Sequence, residues 1–131
     1  MVKIEKLSPL KYHQCRKHVL NRGDTFFVEL DGYSIKNLSD FLDTISSKLM
    51  FPIPSKLIDG YNDWMCDLSW ISEKNIVVML KHYHAFLRDE PEAKDILTEN
   101  LYSSIIPWWT DGYLKYCVGG IEKNIYLYYV A

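Results

Sequence analysis

Apolar positions along this chain follow two rhythms, one of period two and one near 3.6, and the changes between them mark its elements. In "TFFVELDG" β-branched and aromatic residues run up to Asp31-Gly32, which predicts a strand closed by a turn. Leu38, Phe41, Leu42, Ile45 and Leu49 then recur at helical spacing behind Asn37, a capping residue, and predict an amphipathic helix that stops near Phe51-Pro52. Pro52 and Pro54 stiffen the connection that follows. The most regular pattern is "LIDGYNDWMCDLSWI". There Leu57, Ile58, Tyr61, Trp64, Met65 and Leu68 fall at offsets 0, 1, 4, 7, 8 and 11, one continuous helical face that must turn inward. Asp59, Asn62, Asp63, Cys66 and Asp67 share the opposite face, with the carboxylates aligned turn over turn.

"NIVVML" is a continuous apolar run of strand length, suited to a central strand covered on both sides. "AFLRDEPEAKDILTENLYSSIIPWW" predicts a short turn and then a longer helix from Pro91 to about Pro107. Two β-rich runs, "YLKYCV" and "IYLYYV", joined through Gly119-Gly120, predict a C-terminal hairpin. Residues 1–24 have the character of an extension carrying one short helix, opened by Pro9, running to about Leu20 and broken by "NRGD". The order strand, helix, helix, strand, helix, strand predicts an α/β fold: a small three-stranded, mostly parallel sheet packed with helices. At 131 residues one domain is expected, with residues 1–24 as the extension and 25–131 as the core.

Composition changes this picture in two places. No apolar run reaches the roughly 18 to 20 residues of a membrane helix, and "MVKIEKLSPLKYHQ" lacks the apolar centre of a secretory signal, so a cytoplasmic, membrane-independent protein is expected. Charge is also uneven. Residues 1–22 carry six Lys and Arg against Glu5, a balance of +5; the remainder sets nine basic residues against sixteen acidic ones, a balance of −7. An acidic body repels nucleic acid and attracts basic proteins, because phosphate binding depends on Lys and Arg. Cys15, Cys66 and Cys117 are far apart and odd in number, which suggests buried thiols and neither a disulfide framework nor a zinc knuckle.

Catalytic motifs are missing: no phosphate loop, no dinucleotide-binding glycine pattern, no HExxH and no GxSxG. His82 and His84 in "HYH", and His13, Cys15 and His18 in "HQCRKH", fall short of a ligand set, so no metal and no cofactor is expected. Asp59 and Asp63 could serve a carboxylate-dependent hydrolase only if they flanked a cleft from separate elements, which one exposed helical face does not provide. The acidic face is therefore either a solvated surface or a binding surface. Like charges four residues apart are mildly destabilising, and a glycine inside a helix, here Gly60, costs up to about 1 kcal/mol. A purely structural helix gains nothing from either choice.

"FFVELDGYSIKNLSDFLDTISSKLMFP", then "LIDGYNDWMCDLSWI", "NIVVML" and "FLRDEPEAKDIL…IIPWW", resembles the barstar family of ribonuclease inhibitors from about Thr25 to Trp109. The resemblance implies a non-enzymatic protein that plugs the active site of a basic ribonuclease, or another nuclease toxin, with a helix and the loop before it. Carboxylates then take the place of RNA phosphates. It implies partner-binding roles for Asp59, Asn62, Asp63, Cys66 and Asp67, with Asp63 the dominant contact, and for Asp111 near the end of the later helix. A bacterial immunity protein, monomeric before it meets its toxin, is the corresponding expectation. Departures from the family pattern are the loop "PIPSKL", which lacks the usual aromatics and glycine, the basic N-terminal residues, and the doubled C-terminal β runs. A contrasting expectation is an interaction module that binds through exposed Trp108, Trp109 or the final tyrosines.

Overall fold

The computed structural model describes residues 1–110 and 122–131. Four strands, β1 (Val2–Lys6), β2 (Thr25–Asp31), β3 (Asn75–Lys81) and β4 (Asn124–Tyr129), form a parallel sheet in the order β1-β4-β3-β2. The helices are α1 (Pro9–Leu20), α2 (Leu38–Lys48), α3 (Ile58–Met65), α4 (Glu92–Asn100) and α5 (Ile106–Thr110). A π-helical turn, Leu101–Ile105, joins the last two.

The path of the chain decides which face each helix covers. From β1 it crosses to the far edge at β2, then steps back through β3 to β4. Right-handed crossovers in opposite directions place their helices on opposite faces, so α1 lies on one side and the later helices on the other. Two buried clusters follow. Val28, Leu30, Ile76, Val78 and Ile125 of the sheet pack with Leu42, Ile45, Ile105 and Trp109. Across the sheet, Val77 and Met79 pack with Leu7, Tyr12 and Val19. Ile76 to Met79 are consequently all buried, as the unbroken apolar run of β3 requires.

The sheet has four strands where three were expected, and the N-terminal residues account for the difference. "VKIEK" pairs with β4, Val2 opposite Ile125, so the segment read as a helical extension begins with an edge strand. Its lysines suit that place, since charged side chains protect an edge from further pairing. The helix after it forms as anticipated: Ser8 caps it through Lys11 N at 3.2 Å, and Pro9 occupies the first turn. Tyr12 and Arg16 both donate to Glu29 Oε2 at 3.0 Å, fixing α1 to β2.

Two other expectations change. Pro107 does not end the later helix, which continues to Thr110. Pro107 has no N–H to give the Ser103 carbonyl and its ring would crowd that oxygen; the wide π turn just before it relieves both. As for the hairpin, its first run, 113–118, lies outside the described residues, and both edges of β4 are taken by β1 and β3 in parallel register. No helix among the described residues is long and apolar enough to cross a membrane.

Candidate functional site

α3 is short because its surroundings shape both ends. Leu57 precedes it without a side-chain cap, and Asp59 in the first turn places a carboxylate at the positive end of the helix dipole. Ser55 is buried against that end: its N–H donates to Ser46 Oγ at 3.0 Å and its hydroxyl to the Leu57 carbonyl at 2.6 Å. A Cβ at position 60 would lie 2.7 Å from Ser55 Oγ. Gly60, an unexplained cost in the sequence pattern, is thus the residue that lets this loop close on the helix. At the other end Leu68 takes a left-handed φ of 54° and its N–H returns to the Trp64 carbonyl at 3.1 Å.

The inward face is held by aromatic packing. Tyr61 is buried edge-on against Phe41, centroids 5.4 Å apart, and Met65 is buried beside it. Trp64 is only half-buried. Its indole N–H donates to the Ile53 carbonyl at 3.1 Å, while Trp70, perpendicular to it at 5.4 Å, donates to the Leu49 carbonyl at 2.8 Å. The two indoles brace the loop between α2 and α3. That loop turns Met50, Ile53 and Leu57 outward, at 65%, 66% and 71% exposure. Leu57 was expected to face inward; standing before the first helical turn, it does not share the stripe.

Of the site residues read from the sequence, Asp59 and Asp63 lie exposed on α3, one turn apart. Asn62 is half-buried, its Oδ1 accepting from Asn100 Nδ2 of α4 at 3.0 Å. Cys66 is the residue that ends the helix; burial pushes its thiol above the usual range, and its Sγ lies 3.9 Å from Asn62 Oδ1. Asp67 falls beyond α3, where its carboxylate accepts from Ser69 N at 3.2 Å. The row of carboxylates therefore holds helical register only for Asp59 and Asp63, because the chain leaves the helix before a third turn forms. Asp111 lies outside the described residues.

The sequence pattern singled out neither Met50 nor Ile53, and it set Leu57 on the inward face. The available signal was two large apolar residues, Met50 and Ile53, beside Pro52 and Pro54, where no periodic element can bury them. The result is an acidic ridge: exposed carboxylates along α3, an apolar margin at its entrance, and no Lys or Arg from 57 to 71. Lys56, just before it, reaches Asp43 at 3.6 Å.

The histidines and late aromatics are engaged elsewhere. His82 Nδ1 lies 2.9 Å from Asp31 Oδ1, and His84 Nε2 lies 3.0 Å from the Tyr33 hydroxyl. Among the described residues no group of three or more His, Cys, Asp or Glu is placed to hold a metal ion. Trp109, expected as an exposed binding aromatic, is 1% exposed with its indole bonded to the Met65 carbonyl, and Trp108 is half-buried.

No curated protein and no solved structure matches this chain. A family model does, over residues 25–113: Barstar, described as barnase inhibitor. The match spans β2, α2, α3, β3, α4 and α5, and therefore the acidic helix with the loop before it. With well over half of its length covered, the chain belongs to the barstar (barnase inhibitor) family.

Proposed function

We propose that this protein inhibits a basic ribonuclease, or a related nuclease toxin, by seating α3 and the preceding loop in the enzyme's phosphate-binding cleft. The observation that carries the reading is Asp59 and Asp63 standing exposed on a helix whose other face is pinned by Tyr61 and Met65. A nuclease must hold phosphates with Arg, Lys or His, and carboxylates on a rigid helix meet those donors without first being ordered. Met50, Ile53 and Leu57 supply an apolar margin that would exclude water around the charged pairs. Asp67 and the half-buried Asn62 and Cys66 flank this centre, and Asp111 is assigned to the same surface by resemblance alone. The protein acts as a binder without turnover, in the cytoplasm, as a monomer that associates with its toxin.

Barnase is the direct probe. Titrating the protein into an RNA-cleavage assay, with a panel of other basic ribonucleases alongside, should give stoichiometric inhibition of at least one enzyme, weakening as salt rises. A folded protein that inhibits none of them at micromolar concentration refutes the reading.

A further inference from the structure

Behind α3 lies a cavity of about 360 Å³ that the inhibitory ridge does not use. Its floor is the sheet, with Ile4 of β1 and Leu127 of β4 on the side away from β2. Its roof is Leu97 of α4 and Leu101 of the π turn. Two features described above therefore build its walls: the fourth strand, which widens the sheet on the side of Val2 and Ile4, and the π turn, a distortion frequent at functional sites. The volume falls at the lower end of the roughly 300–1,000 Å³ of small-molecule sites.

Polar groups reach the lining from Lys94, Thr98 and five tyrosines, and the charge they carry narrows the ligand. Tyr61, 7% exposed, lines the cavity, yet its hydroxyl makes no hydrogen bond among the described residues. That hydroxyl can donate to a ligand inside the cavity. Among the described residues Lys94 is the only cation in the lining, and none of the lining residues is a carboxylate. Its Nζ sits 4.5 Å from the centre of the Tyr83 ring and has no ion-pair partner among the described residues. Exposed Tyr102 and half-buried Tyr83 place Lys94 toward the surface, whereas Ile105 and Ile125 close the cavity at 1% exposure each.

We propose that this cavity binds an amphipathic monocarboxylate: its carboxylate pairs with Lys94 and its apolar body lies between the sheet and the π turn. One cation fits one negative charge; a phosphate ester, with nearly two, would call for a second cation, and a cationic ligand would meet Lys94. The site is independent of the reading of α3 as an inhibitory ridge, and its test needs no nuclease.

Decanoate and decanol are the probes, compared by isothermal titration calorimetry on the full chain. Decanoate should bind at one site, more tightly than decanol, and Lys94→Met should bring it down to the level of the alcohol, a loss of about ten- to a hundredfold for a hydrogen-bonded charge. Leu101→Trp should fill the cavity and abolish binding of both, with Ile4→Phe narrowing it from the sheet side if the first variant does not fold. The proposal fails if decanoate binds no better than decanol, if Lys94→Met leaves the difference intact, or if a folded cavity-filling variant binds as wild type does.

Discussion

Trp109 donates its indole N–H to the carbonyl of Met65 across 2.8 Å, joining α5 to the last residue of α3. Both residues are buried, and the carbonyl is one of those a helix end leaves without an internal partner. Trp109→Phe keeps most of the ring and strands that oxygen. A loss of about 1–3 kcal/mol in chemical denaturation is expected. Unchanged stability would mean that the end of α3 is held by its own turn alone.

Asp63→Ala should weaken binding to an inhibited ribonuclease far more than Asp43→Ala. Asp63 stands on the exposed ridge, whereas Asp43 is on α2 and faces Lys56 across 3.6 Å. Equal effects in a competition assay would remove α3 from the centre of the interface.

Replacing Asp59, Asp63 and Asp67 together by Asn tests charge apart from shape. The helix loses repulsion between neighbours and also the favourable placement of Asp59 at its positive end, so thermal stability should stay within about 1 kcal/mol of wild type. Stopped-flow association should be slower at low ionic strength and converge on wild type as salt screens the charges. Matching rates at every salt concentration would make the carboxylates a solvated surface only.

Gly32 permits the tightest approach in the described chain. A Cβ there would lie 2.1 Å from the His82 carbonyl oxygen, which is backbone and cannot swing aside. Gly32→Ala must therefore separate the ends of β2 and β3, and a melting temperature lowered by several degrees is expected, with the far-ultraviolet spectrum of any folded fraction unchanged. A variant as stable as wild type would show that the two ends part easily.

Beside it, the hydrogen bond from His82 holds the Asp31 carboxyl below the usual carboxylate range, with Tyr33 N–H assisting. A lowered carboxylate pKa stabilises the fold above the ordinary value of about 3.9, and that contribution is lost as pH falls through the lower, folded-state value. The pair is partly exposed, so the effect should be small. Asp31→Asn should be less stable than wild type at neutral pH and draw level with it in acid; a constant difference from pH 7 to 2 would rule the carboxylate out.

Much of this architecture was legible because local signals agreed with tertiary ones. Asn37 caps α2 through Asp40 N at 2.8 Å, and the Pro9 start and the β3 run fall where the pattern put them. The misreadings share a cause: the deciding contact is remote. β1 alternates Val2 and Ile4 with the charged Lys3 and Glu5, but five residues carry little weight until β4 is beside them. Leu68 continues the apolar stripe of α3 and is fully buried, although a left-handed turn, invisible to periodicity, has already ended the helix. The exposed margin of the ridge escaped for the opposite reason. Apolar residues between prolines look like core, and only the two indoles beneath the loop show that Ile53 faces out.

The pairing of Val2 with Ile125 also sets a timetable. β1 leaves the ribosome before the other three strands, yet among the described residues it pairs with β4 alone, so at 5–20 residues per second it waits roughly 6 to 24 s while the intervening chain is made. During that interval β2 and β3, paired in register from Thr25–Asn75 to Asp31–Lys81, can already assemble with α2 and α3. The ridge can therefore take shape before the sheet is finished. The nascent strand is shielded meanwhile by Lys3, Glu5 and Lys6, whose charges discourage it from docking on a neighbouring chain.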